Sequence, residues 1–227
     1  QVVDISSLAA VRQFVADFQQ REDRLDVLIN NAGVLLDQRQ LSADGIEMTF
    51  ATNILGPFLL TNALIPLMKH SAPARVILVS SGGMYLQKLK VDDLQSQQGS
   101  FNGTLAYAQT KRAQVMLAEL WAERLAGSGV TVNAMHPGWV DTPGVQGSLP
   151  TFRRVMRPGL RTPSQGADTI IWLAVAPCLA FESGKFWFDR RERATHKLSR
   201  TKSTPSEYQR LWNECLSLSG LDSAKSN

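Results

Sequence analysis

Tyr107 and Lys111, in the string YAQTK, are the residues whose types and spacing best suit chemistry. Four apart on a helix, they share one face a turn apart. A phenol with its ordinary pKa near 10 is a poor acid or base at neutral pH, but an adjacent ammonium favours the phenolate and brings it toward the working range. The pair alone is unspecific, because Tyr and Lys meet at this spacing on many helices. Ser81 ends the apolar run RVILVSS, where its hydroxyl can donate to a carbonyl or alkoxide oxygen held between it and Tyr107. Ser80 is the competing candidate, and the plainer role for both is to shape a turn at a strand end. Asn53 adds a backbone argument. Pro57, four residues later, has no N–H to give to the Asn53 carbonyl, which is therefore free to hold an ordered water that passes protons between Lys111 and solvent. The alternative is a proline kink in a core helix.

These residues need elements to position them. Leu25 to Ile29, Arg75 to Val79 and Val130 to Ala134 read as short apolar strands ending in NNAG, SSGG and HPG, with Lys185 to Phe188 as a fourth candidate. Between them lie helical patterns. Leu8, Val11, Phe14, Val15 and Phe18 form one stripe, with Ser6 or Ser7 as N-cap. Ala113, Met116, Leu117, Leu120, Trp121 and Leu125 form another, stopped by Gly127 and Gly129. Alternating strand and helix predicts an α/β fold, a doubly wound parallel sheet whose ligands bind at the carboxyl ends of the strands. The stretch from Pro143 to Pro163 reads as a loop or small helical flap over the site. Residues 1–195 read as one domain, and 196–227 as a basic linker and a C-terminal helix whose Tyr208, Leu211, Trp212, Cys215 and Leu218 share a face that could dock on the body or on a partner.

Composition bounds the rest. With 227 residues, 44% of them apolar and only two cysteines, the chain has enough apolar sequence for a substantial core and is neither disordered nor a disulfide scaffold. Cys178, Cys215, His70, His136 and His196 are scattered without metal-ligand spacing, and a reducing, cytoplasmic setting is expected. The longest apolar run, Ile170 to Phe181, contains Pro177 and is only 12 residues long, so no transmembrane segment is expected. The net charge of +4 is concentrated between Lys185 and Lys202, where seven Lys or Arg face only Asp189 and Glu192. Such a run could meet nucleic acid, anionic lipid or an acidic partner, but the ordinary reading is a solvated tail. The slightly acidic remainder argues against a nucleic-acid binder.

LDVLINNAG, TNILGPFLLTN, RVILVSS, YAQTK and HPGWVDT, in this order, resemble the short-chain dehydrogenase/reductase family over about Val2 to Asp189. The 26-residue gap from Ser81 to Tyr107, with VDDLQ inside it, is similar to the retinol-dehydrogenase-like branch. The resemblance implies a Rossmann-like fold, NAD or NADP as cofactor and a small carbonyl or alcohol substrate. It makes Tyr107 the acid or base, Lys111 the group that lowers the phenol's pKa and holds the nicotinamide ribose, Ser81 the substrate-orienting hydroxyl and Asn53 the end of a proton relay. It places Asn30, Ala32 and Gly33 along the cofactor, Asp4 at the adenine, and Pro137, Gly138, Val140 and Thr142 against the nicotinamide.

One departure stands beside the match. The family's phosphate-binding TGxxxGIG motif is absent from the sequence, and if Val2 to Asp4 ends the third strand, the first two strands and their helices are missing. Leu25 to Ile29 would then be an exposed apolar edge, and the chain, opening at Gln1, reads as an N-terminally truncated fragment with any targeting signal upstream. Two functions follow as expectations. One is hydride transfer between NAD(P) and an apolar carbonyl or alcohol. The other is an inactive truncated form acting as an interaction partner, for example as a homodimer paired through helices at 45–69 and 104–126, which form dimer contacts in many relatives.

Overall fold

The computed structural model describes residues 1–140, 160–179 and 182–221. Five strands form one sheet in the order β1 (Val27–Asn30), β2 (Ala74–Val79), β3 (Val130–Met135), β4 (Phe186–Phe188) and β5 (Arg191–Arg193). β1 to β4 are parallel, as the alternating pattern predicts, while β5 turns back antiparallel on β4. The polar RER of β5 is fully exposed and carries no apolar alternation, which is why it does not read as a strand.

Alternation along β2 divides the core. Val76 and Leu78 face α1 (Leu8–Arg21), α3 (Gly56–His70) and α4 (Gly103–Arg124), whereas Ile77 and Val79 face α5 (Pro163–Val175). Helices therefore cover both faces of the sheet. Arg75 fixes α5 by donating to the carbonyls of Leu173 and Ala176 at its C-terminus, where a cation is favoured. The last helix, α6 (Pro205–Leu218), docks on the body. Leu211 and Cys215 are fully buried, and Trp212 packs edge-on against Phe58 and Trp121.

The helix carrying Asn53 is long. Met48–Phe50 (α2) runs through a π turn, Ala51–Leu55, into α3. The π turn follows from Pro57: the Gly56 N–H reaches back five residues to the Ala51 carbonyl. Gly56 is required here, since a Cβ would stand 1.9 Å from the Ile5 carbonyl oxygen. Together Met48–His70 make 23 residues, long and apolar enough to cross a membrane, which the continuous-run count overlooked because Thr49, Thr52, Asn53, Thr61 and Asn62 interrupt it. Most of this helix is buried within the fold, as a core helix is.

Val2 to Asp4 is not a strand. Asp4 accepts from the Ser6 amide and hydroxyl, turning the chain into α1, where Ser7 takes the N-cap by accepting from the Ala10 amide. β1 pairs only with β2 among the described residues, and Ile29 stands 42% exposed on that edge.

Candidate active site

The ends of β1, β2 and β3 and the first turns of α4 meet. α4 starts where Asn102 accepts from the Leu105 amide, and Gly103 lets the segment after β1 lie against it, because a Cβ there would come within 1.8 Å of the Leu36 carbonyl oxygen. That start brings Tyr107 and Lys111 to the end of β2. The two serines now separate. Ser80 is buried and donates to the Lys111 carbonyl at 2.7 Å, tying β2 to α4. Ser81 caps the short turn Gly82–Leu86 and faces the Tyr107 hydroxyl closely enough to favour its phenolate.

The Tyr107 phenol is shifted upward rather than toward neutrality. Burial pushes the phenol up, with Ser81 alone opposing it. Lys111 is only 3% exposed, its Nζ donates to the Val79 carbonyl at 2.9 Å and lies 5.3 Å from the ring centroid of Tyr107, and burial drives its own pKa down to about 7. A desolvated ammonium that is only half charged near neutrality gives weak support to a phenolate.

Asn53 is also corrected. Its carbonyl is not free: buried Gln114 of α4 donates to it at 2.9 Å. The π turn does release this oxygen, but a side chain 61 residues away satisfies it. The Asn53 amide joins two parts of the site, accepting from the Val34 amide at 2.8 Å and donating to the Val34 carbonyl and to Thr110 Oγ1, each at 3.0 Å. Thr110 Oγ1 in turn donates to the Tyr107 carbonyl.

The residues expected along a cofactor divide. Gly33 lies beside Lys111 and Asn53, where a Cβ would stand 3.3 Å from both Lys111 Nζ and Asn53 Oδ1. Ala32 is exposed next to it. The Asn30 side chain donates to Thr61 Oγ1 in the core and so holds β1 to α3. Asp4 sits at the start of α1 with its carboxylate held by Ser6 and below the usual range. Pro137 accepts from Arg161, Gly138 turns with φ +82°, and Val140 bridges Arg161 through the backbone. Thr142, like most of the 143–163 flap, lies outside the described residues. Among the described residues no group of His, Cys, Asp or Glu could hold a metal ion.

The nicotinamide end of a dinucleotide fits these residues by donor chemistry. Lys111 Nζ has three donors and gives one to Val79, leaving two beside the bare backbone of Gly33 for ribose hydroxyls. Sequence reasoning missed Arg112, His136 and Gln114. Arg112 and Gln114 serve distant carbonyls and leave no motif; His136, stacked on Phe188 at 4.1 Å, stood in HPG at a strand end and could have been flagged from that position.

Comparison with known proteins gives this arrangement its place. Residues 1–151 match the short chain dehydrogenase family. Dehydrogenase/reductase SDR family member 12 of Bos taurus is 50% identical over 212 residues, which are 92% of this chain and 66% of that protein. Retinol dehydrogenase 14 of Mus musculus is 41% identical over 84% of this chain and 58% of its own length. The chain thus spans 58% to 66% of the length of these relatives. A crystal structure of an uncharacterized protein from Mycobacterium paratuberculosis superposes with a TM-score of 0.75 at 27% identity, covering 97% of this chain and 75% of that one. By its sequence match and by its sheet, the chain belongs to the short-chain dehydrogenase/reductase family.

Proposed function

We propose that this chain carries the proton-transfer and nicotinamide half of an oxidoreductase that moves a hydride between NAD or NADP and a small carbonyl or alcohol. The observation that carries the reading is the convergence of Ser81, Tyr107 and Lys111 at the carboxyl ends of the parallel strands. When bound, the nicotinamide supplies or accepts the hydride. In reduction, the Tyr107 hydroxyl gives its proton to the substrate oxygen as the carbonyl carbon gains hydride, and the product is the alcohol. In oxidation the same oxygen takes the proton back. Burial holds the Tyr107 phenol above its ordinary pKa, so at neutral pH it carries the proton that reduction requires. Ser81 donates a hydrogen bond to the same substrate oxygen. Lys111 holds the ribose, and Asn53 fixes the Gly33–Val34 turn against α4.

The alternative, a form without turnover that serves as a partner for another protein, is decided by whether the chain binds a dinucleotide. Titrating NADPH and NADH against the chain by thermal shift, then adding an aromatic aldehyde and following nicotinamide absorbance, separates the two. Binding with turnover that Tyr107→Phe removes supports the first. Lack of binding by either dinucleotide overturns it for this chain.

A further inference from the structure

An open cavity of about 660 Å³ begins where the proposed chemistry ends. Gly82, directly after Ser81, is in its wall, and a Cβ there would stand 3.5 Å from the His136 ring. The other walls include Tyr85, Phe188, Arg193 and Lys197. Aromatic surface and cationic charge thus meet in one place.

Two of the cations there have no ion-pair partner among the described residues. Arg161, also on the wall, is neutralised by a bidentate pair with Asp189. Arg193 and Lys197 make no ion pair with any described residue; their cations lie over rings, Arg193 5.8 Å from the Phe188 centroid and Lys197 4.6 Å from that of Tyr85. Glu192, directly before Arg193 in sequence, is taken by Lys185. His136 adds no charge, since burial keeps its pKa down at about 4 and its Nδ1 accepts from the Gly138 amide.

The basic segment is also built into the fold, which corrects its reading as a solvated tail. The Tyr85 hydroxyl donates to the Ala194 carbonyl at 2.8 Å. Arg112, fully buried and adjacent to Lys111 on α4, donates to the carbonyls of Thr195 and Met84 at 2.7 and 2.8 Å. A buried guanidinium serving two carbonyls is costly unless both bonds are kept, so it locks the chain before Lys197 to the turn after Ser81. The cavity's cations are held in register with the reacting end.

Resting on the function proposed above, we infer that the substrate is a carbonyl or alcohol compound with an aromatic or apolar body and an anionic group, a carboxylate or its equivalent, the body lying on Phe188 and Tyr85 and the anion meeting Arg193 and Lys197. This adds an anionic group to the apolar substrate expected from the sequence.

The test reads binding rather than turnover, so it stands apart from the hydride reading. The 227-residue chain is titrated calorimetrically with para-carboxybenzaldehyde and, separately, with its neutral methyl ester. The acid is expected to bind at least about tenfold more tightly at low salt, with the advantage shrinking as ~0.5 M salt screens the two exposed cations. The double variant Arg193→Gln, Lys197→Gln, altering two exposed side chains, is expected to bind both probes alike. Equal affinities for the two probes in the unaltered chain, tighter binding of the ester, binding of neither, or an acid preference that survives in the double variant would each overturn the inference. A chain that binds the acid selectively but transfers no hydride to it would overturn the proposed function and leave this site standing.

Discussion

Asn53→Ala is the substitution that most sharply separates a structural anchor from a proton relay. The Asn53 side chain is wholly buried and makes three hydrogen bonds, two to the backbone of Val34 and one to Thr110 Oγ1. Each net bond contributes about 1 kcal/mol, and a buried partner left unmade costs about 1–3 kcal/mol. Val34 is half-buried, so water recovers part of the loss, and Thr110 Oγ1 keeps its bond to the Tyr107 carbonyl. The truncation should therefore destabilise the fold by about 2–4 kcal/mol. For a chain of this size that is a fall in melting temperature of roughly 4–16 °C. Urea unfolding gives the free energy, and hydrogen exchange gives the place: the Val34 amide, protected in the unaltered chain, should exchange much faster in the variant while the amides of β3 do not. A loss below about 0.5 kcal/mol, or a Val34 amide that keeps its protection, refutes the reasoning, because the three bonds would then not be holding the turn.

Other consequences follow from the same geometry. Lys111 has its pKa lowered from 10.5 to about 7, so the unfolded chain holds that proton more tightly and stability rises with pH between about 7 and 10.5. Lys111→Met should accordingly be more stable than the unaltered chain near pH 7, by on the order of 3–4 kcal/mol after losing the bond to Val79, with the difference closing toward pH 10 in denaturant titrations at each pH. Ser81→Ala should keep the melting temperature within a degree or two while lowering turnover on the order of 100-fold, whereas Ser80→Ala should lose about 1 kcal/mol of stability through its bond to Lys111. Gly56→Ala places a methyl 1.9 Å from the Ile5 carbonyl oxygen and should cost more than about 3 kcal/mol, measured by urea unfolding.

What was legible in the sequence was what repeats locally. The apolar runs at 75–79 and 130–134 gave the strands because their alternation is short-range, and the Tyr107–Lys111 spacing placed both on one helix. Even the choice between Ser80 and Ser81 lay in the pleat: Ser80 continues the Val76–Leu78 face toward α4, so its hydroxyl falls on the helix backbone while Ser81 is left for the site. The rest was not legible because the partners are far apart. Gln114 meets the carbonyl released by Pro57 across two helices, Arg161 pairs with Asp189 across 28 residues, and Arg112 anchors a segment 83 residues on. Charge counting saw seven cations between 185 and 202, but not that Arg193 and Lys197 face the cavity while Lys185 pairs away from it with Glu192.

If Tyr107 delivers the proton as hydride reaches the substrate, removing its hydroxyl stops both transfers. Incubating the chain with deuterium-labelled NADPH or NADH and an aromatic aldehyde, then weighing the alcohol by mass spectrometry, tests it directly. The expected product carries one deuterium from the unaltered chain and none above background from Tyr107→Phe. Deuterium transfer that is undiminished in Tyr107→Phe, or absent from the unaltered chain with either dinucleotide bound, would contradict it.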